Sequence, residues 1–490
     1  MDTLYPNTAI KVEPVVDFFS KVVSDEHVTK LARKLKFVQR SRKMNVGLFN
    51  RAVIESLSSD KEWTLSSIHS YYCYLYSKQY PNEMPISWEP FYDFLARPQF
   101  LTYVEELVKI CREKALQTKA FSDLCELVTL LQERTDIKDI VAHDGSVVHI
   151  HNNTLGRENY YVHDPALKLH DSISIMSFCN SYNNFTAGQA DERVNLYDVE
   201  NEVKNKLFIC DAGYGCDGVF RKVMEGGGYF LIKLRLNCGC PIESMQYLTE
   251  SGAIETPFQP KVNMKKSTRP LRVNEVDVSK LSADMIATTK DGVRLRILKF
   301  QVPDQDGKYL TITLATNISA DILDLFQIVA LYRSRWQVEW MHRSLKGFCS
   351  LKGSRSGNQK IQKAIMLFSV ITAYLKVILA GVAQEASEDP LNLSAMQVMH
   401  KINPYLKDLL ELIFLKRSPD KILGYLQICC RQIARNMKKA TPSFTNRKQG
   451  KYIGWISEHI RRPIIESGMG ALWSNITNST STRIQLFEVF

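Results

Sequence analysis

No CxxC pair occurs among the eleven cysteines, only Cys238-Gly-Cys240 and the vicinal Cys429-Cys430, so no zinc pattern is present. The first residues carry no charged, apolar, small-residue leader. Reduced thiols in a cytosolic protein are therefore expected. Neither an internal repeat nor a low-complexity segment is found, which excludes a solenoid or array. The run Gly226-Gly227-Gly228 has no Lys-Ser/Thr after it, which excludes a phosphate loop of that type and leaves a turn. One stretch, 364–383, is apolar enough to suggest a membrane span. It carries Ser369, Thr372, Tyr374 and Lys376 and has no second span beside it. A buried core helix is expected there, and no membrane partner.

Acids are missing from two long tracts. From His27 to Arg51 there are eight basic residues (Lys30, Arg33, Lys34, Lys36, Arg40, Arg42, Lys43 and Arg51) and no Asp or Glu. Between Asp420 and Glu458 there are none either, while Arg431, Arg435, Lys438, Lys439, Arg447, Lys448 and Lys451 are present. Over the 490 residues Lys+Arg exceed Asp+Glu by 63 to 52, a net charge of +11. Such an excess favours a polyanionic partner, nucleic acid first. A hydrophobic share of 45% and a mean hydropathy of -0.19 suit two to four soluble domains.

The pattern of elements divides the chain in three. Residues 1–134 read as helical and basic, with Val28, Leu31, Leu35 and Val38 at helical spacing. From 135 to 384 strands and helices alternate. Ile140 to Asp144 is an apolar run ending in an acid and a glycine, and Ser146–Ile150 and Ala166–Met176 read as further strands. Val194–Lys206 reads as a helix, and Leu207 to Asp211 repeats the strand-then-acid pattern. The stretch 237–315 is rich in strands and turns. Asp321 is placed to N-cap a long helix after it. Residues 385–490 read as helical and basic.

That long helix holds the most informative pattern. Tyr332, Arg335, Glu339 and Lys346 are spaced by 3, 4 and 7 residues. At roughly 100° per residue all four fall within a stripe about 60° wide. Leu331, Val338, Met341, Leu345 and Phe348 form a separate apolar face. A carboxylate flanked by cationic and phenolic donors suits a metal ion and the phosphates around it, or an ordinary salt-bridged helix. Asp144 and Asp211, at strand ends upstream, supply two further acids. Taken singly, either fits Asp-Gly turn chemistry equally well. An RNase H-like sheet arranges two strand acids and one helix acid in this way. The 67 residues from Asp144 to Asp211 and the 128 from Asp211 to Glu339 then require a β-rich insertion at 237–315. Converging carboxylates need divalent cations, and hard oxygen ligands suit Mg²⁺ or Mn²⁺. His143, His149 and His151 flank Asp144 and are expected to be satisfied by hydrogen bonds. Cys210 reads as a small buried residue, and Asp171 and Asp217 as surface or turn acids.

Tyr332-x2-Arg335-x3-Glu339-x6-Lys346 resembles the Y-R-E-K signature of the insertion-sequence-4 family of bacterial DDE transposases. Asp144-Gly and Asp211-Ala-Gly-Tyr are similar to that family's two aspartate motifs, in order. The resemblance covers about 135–384, extends loosely over the N-terminal region and hardly reaches the last hundred residues. It implies that Asp144, Asp211 and Glu339 ligate two Mg²⁺ ions, replaceable by Mn²⁺, and are the catalytic residues. It also implies that Tyr332, Arg335 and Lys346 grip phosphates of the transposon end. Trp336 would help hold a flipped base, as in some family members, or pack as core. The expected activity is cleavage at terminal inverted repeats and joining of 3′-hydroxyl ends to target DNA. A homodimer on DNA in the bacterial cytoplasm, at the nucleoid, is expected. The N-terminal region would bind the DNA ends, and the C-terminal region would serve dimerisation or DNA contact. Two other functions fit the residues: an RNase H-like nuclease without strand transfer, and a non-catalytic DNA-binding descendant.

Overall fold

In this computed structural model the described residues are 13–437, apart from 40–43, 60–62, 118–130, 151–159, 162–163, 176, 178, 194–202, 250–251, 255–260, 265–266, 280–281, 304–308, 353–355, 386–398 and 400. The fold is mixed α/β. Most of the expected helix at 194–206, residues 40–43 of the first basic tract, and everything after 437, which includes more than half of the second basic tract, lie outside the described residues.

Among the described residues six helices come first: Glu13–Val23, Asp25–Lys34, Val46–Leu57, Leu65–Gln79, Trp88–Leu95 and Pro98–Ala115. Their ends follow local chemistry. Asn45 accepts from Leu48 N at 2.8 Å, Thr64 and Ser67 form a reciprocal capping box, and Pro98 occupies the first turn of its helix. The Pro98–Ala115 helix packs along the 27-residue helix Gln359–Glu385. Phe49 meets Phe368 edge to face with centroids 6.0 Å apart. The long apolar helix is thus a core helix, as expected: 94% of its most apolar window is buried. Its Lys376 is wholly buried and donates to Phe348 O, at the end of the preceding helix.

Eleven strands make one sheet. β1 (Asp139–His149) lies between β3 (Asp164–Ser174), antiparallel, and β5 (Lys206–Cys210), parallel. β4 (Cys179–Ala187) and the short β2 (Tyr160–Tyr161) both pair with β3, while β6 (Tyr229–Lys233) runs parallel to β5. The strand-rich stretch does not stand apart from this sheet. Its last strand, β13 (Tyr309–Thr316), pairs with β6, and the sheet continues through β12 (Arg294–Pro303), β11 (Ser282–Thr288), β7 (Ile242–Thr249) and β8 (Gly252–Ile254). β9 (Lys261–Met264) and β10 (Ser267–Pro270) form a separate hairpin.

Both faces of the central strands are buried, which explains their unbroken apolar runs. Ile140, Ala142, Leu207, Ile209 and Leu231 enter one core with the helices. Val141, Phe208, Cys210, Phe230 and Ile232 enter a second with the Asp217–Glu225 helix and the β-rich stretch. This alternation decides which face each later residue of the strands occupies.

Three local expectations are corrected. Asp144 does not end its strand: β1 runs on to His149 because pairing with β3 continues to His149↔Ala166 after pairing with β5 stops at Ala142↔Ile209. Asp324, not Asp321, caps the following helix, accepting from Gln327 N at 2.8 Å while Gln327 returns the bond. The single long helix is two, Leu325–Arg333 and Trp336–Phe348. Ser334 Oγ bonds back to Leu331 O, and the amides of Ser334 and Arg335 reach carbonyls three residues back. Those tighter turns break the α-helical ladder.

Candidate active site

Ala142 pairs with Ile209 across the parallel strands β1 and β5. Asp144 and Asp211 each follow two residues later, so both project from the face that the helical core covers. Asp144 Oδ1 accepts from Gly145 N at 2.8 Å, and Asp211 Oδ1 accepts from Gly213 N at 2.8 Å, capping the short turn Ala212–Tyr214. Burial pushes Asp144 up to about 6. The charge of His342 and the Gly145 N–H oppose that rise, Asp211 adds to it, and Arg335 opposes it.

The glycines after the two aspartates leave room for another acid. A Cβ on Gly145 would stand 3.0 Å from Glu192 Cγ. One on Gly213 would stand 3.0 Å from Asp211 Oδ1 and 3.9 Å from Glu192 Oε2. Glu192 therefore leans over both glycines, with Oε1 3.4 Å from Lys168 Nζ. Nothing in the sequence pattern singled it out, because its placement depends on the course of the chain after β4.

The Trp336–Phe348 helix packs across β1 and β3. Its Val338, Met341 and Leu345 are buried in the helical core, as the apolar face predicts. Splitting the helix redistributes the polar stripe. Tyr332 lies in the last turn of the first helix, Arg335 sits at the junction, and Glu339 and Lys346 ride the second. Arg335 Nη2 donates to Glu339 Oε1 at 2.9 Å. Tyr332 is buried, and burial raises its hydroxyl pKa well above the ordinary value. Lys346 Nζ donates to Val147 O of β1 at 3.0 Å, and burial lowers its pKa. The Trp336 side chain lies outside the described residues.

Lys233, at the end of β6, also faces this place. Burial lowers its pKa, and it feels the charges of Arg335 and Asp211. Asp171, expected at the surface, is wholly buried. It is the cross-strand partner of Asp144, and its Oδ2 lies 3.0 Å from His342 Nε2. Antiparallel pairing with β3 carries it inside, a register that local sequence does not encode. His143 is buried and bonded to Ser172 Oγ at 2.8 Å, as expected of a satisfied histidine, whereas His149 is exposed and His151 is outside the described residues. Cys210 is buried as expected.

Asp144 and Asp211 offer oxygen donors side by side, which fits a hard divalent cation. Glu339 is the third oxygen donor of the face, engaged by Arg335. Among the described residues no three His, Cys, Asp or Glu side chains lie close enough together to hold a metal ion. The aspartates are therefore the fitting part of such a site, while Glu339 is held by Arg335.

Residues 137–375 match the family model described as transposase DDE domain. The match opens just before β1 and closes within the Gln359–Glu385 helix, so it contains every acid considered above. It supports a DDE transposase as the class of this protein, and transposases of that class generally use divalent metal ions. Among curated proteins nothing matches. A cryo-EM structure of a piggyBac transposase synaptic complex with hairpin DNA is similar at 8% identity and a TM-score of 0.38, over 93% of this chain and 87% of that one. A likeness of that size carries no argument.

Proposed function

We propose that this chain is a DNA transposase with an RNase H-like catalytic core. It would bind the terminal inverted repeats of an insertion element, cleave at the element ends and join the 3′-hydroxyl ends to target DNA. The observation that carries this reading is that Asp144 and Asp211 each stand two residues beyond the Ala142↔Ile209 rung of adjacent parallel strands, on the face crossed by the Glu339 helix. The spatial order β4-β3-β1-β5-β6, three antiparallel strands followed by two parallel ones, supports the RNase H-like assignment. The strands of 237–315 and the helical regions on either side would be additions to that core.

In this reading Asp144, Asp211 and Glu339 would hold two Mg²⁺ ions, or Mn²⁺ in their place, and the bound ions would supply the Lewis acidity needed to activate a water or 3′-hydroxyl and to stabilise a leaving oxygen. Arg335 and Lys233 bring positive charge to the rim of the acids and orient a phosphate there. Lys346 and Tyr332 border the same strip, with Trp336 in the first turn beside them. Two ends must be brought together, so the working form would be a homodimer on DNA. The exposed Lys30, Arg33, Lys34 and Lys36 suit contact with duplex outside the core. Cytoplasmic action on nucleoid DNA follows from this reading.

The test is cleavage of labelled duplexes carrying the repeats that flank the reading frame, with Mg²⁺ or Mn²⁺. Nicks or hairpins followed by joined strands are expected. Asp144→Asn, Asp211→Asn and Glu339→Gln should each abolish cleavage and largely spare end binding. Cleavage without joining would identify a nuclease instead, and binding without cleavage a non-catalytic descendant.

A further inference from the structure

We propose that Asp171 and His342 are a buried positioning pair that sets where Glu339 stands relative to Asp144. The inference rests on the transposase reading for the role of Glu339, but the pair is defined by geometry alone.

Asp171 is 0% exposed and His342 7%. Neither carboxylate oxygen of Asp171 has a hydrogen bond among the described residues, and its close polar contact is His342 Nε2, 3.0 Å from Oδ2 but out of line for a hydrogen bond. A carboxylate sealed in a core without compensation costs several kcal/mol. Retaining one here makes sense where it holds something in place. Asp171 is the direct cross-strand neighbour of Asp144. His342 lies three residues, close to one turn, beyond Glu339 on the helix that crosses these strands. One contact thus links the strand position beside Asp144 to the helix position beside Glu339.

The apolar face of this helix cannot fix its position as sharply. Val338, Met341 and Leu345 pack without directional preference, and sliding a helix by one residue moves every side chain by about 1.5 Å. Two polar contacts tie it at single points instead. His342 meets Asp171 of β3, and four residues later Lys346 Nζ meets Val147 O of β1 at 3.0 Å. Together they lock the helix along and around its axis, with Glu339 one turn before the first lock. Partners of this kind, behind oxygen ligands, typically change metal affinity or activity about 10–100-fold when removed.

The experiment uses the full chain and follows Mn²⁺ uptake by calorimetry beside thermal melting and end-DNA cleavage. His342→Leu removes the contact, Asp171→Asn keeps the shape and removes the charge, and His342→Gln retains an N–H within reach of Asp171. His342→Leu is expected to weaken Mn²⁺ uptake about 10–100-fold, Asp171→Asn to weaken it less, and His342→Gln to stay within about threefold of wild type. A merely structural pair would lower the melting temperature yet leave the Mn²⁺ affinity of folded protein unchanged, which overturns the proposal. Wild-type protein that takes up no Mn²⁺ overturns it as well. If His342→Leu does not fold, Asp171→Asn decides alone: unchanged affinity there sinks the idea. Failure of the transposase reading would show separately, as wild-type protein that binds Mn²⁺ through Asp144 but neither nicks nor joins DNA.

Discussion

Arg335 Nη2 lies 2.9 Å from Glu339 Oε1, so the acid proposed to complete the metal site is held in an ion pair. A phosphate competes for the same guanidinium and would release the carboxylate. Arg335→Gln should therefore split two properties. Without DNA, Mn²⁺ uptake should tighten roughly fivefold, the gain expected when a charge-assisted bond worth ~1 kcal/mol is removed. End binding should weaken, with a smaller salt slope, because one phosphate contact is gone. Calorimetry and filter binding across a salt series read both. Unchanged Mn²⁺ affinity would show that the ion pair does not restrain Glu339.

Gly213 offers a narrower probe of the second aspartate. Its amide donates to Asp211 Oδ1 at 2.8 Å, and an added Cβ would press on that same oxygen at 3.0 Å. Gly213→Ala should turn the Asp211 carboxylate away and cut end cleavage by at least about tenfold, in line with the loss of a ligand-orienting contact. Because Gly213 is exposed, melting should shift by only a few degrees. Normal cleavage would mean the Asp211 rotamer is not critical.

Much of this site was legible in the sequence, and the unread parts share a cause. Asp144 and Asp211 announced themselves because an apolar run followed by an acid is a local pattern, even though β1 runs on past Asp144. Glu339 and its neighbours did so through helical spacing. The break at Ser334 was not legible, since a hydroxyl bonding back to the Leu331 carbonyl competes with an otherwise regular helical text. Asp171, His342, Glu192 and Lys233 were missed because each reaches the site by tertiary pairing. The Asp144↔Asp171 rung exists only once β1 and β3 are in register. The extension of the sheet through β13 was hidden for the same reason: strand periodicity reveals a strand and not its neighbour.

Arg51 was counted among the cations of an acid-free tract, yet it is withdrawn from any DNA surface. It is buried, with Nε on Glu55 Oε1 at 2.5 Å and Nη2 on Glu411 Oε2 at 2.9 Å. Glu411 also pairs with Lys78, and Glu55 accepts from Tyr71. The network ties the Val46–Leu57 helix to the Asn403–Phe414 helix, 360 residues apart in sequence. Arg51→Met should leave Glu55 buried without its charge partner and cost about 3–5 kcal/mol, read by urea unfolding. End binding by the folded protein should keep its salt slope, unlike Arg335→Gln. A changed slope would return Arg51 to the phosphate-binding set.

Acid sensitivity should arise from histidines on the far side of β1 and β3 from the acids. Burial lowers His170 to about 4, with further lowering from Lys168 and His342, while Nε2 sits 2.7 Å from Thr186 Oγ1. The folded state thus keeps His170 neutral where the unfolded chain, near 6.5, takes a proton. Below about 6.5 the unfolded state binds more protons, so stability falls as pH drops towards 4 and levels off beneath it. Between pH 7 and pH 5 this one residue should remove roughly 1–2 kcal/mol. His143, lowered to about 3 by burial, adds a loss of the same sign. Asp139 opposes both: burial raises its carboxyl to about 6, so stability gained from it appears as pH falls through 6 towards 3.8. Denaturant unfolding at pH 7 and pH 5 should show His170→Gln losing less stability on acidification than wild type. Equal losses in the two proteins would mean that His170 is protonated as readily in the fold as in the unfolded chain.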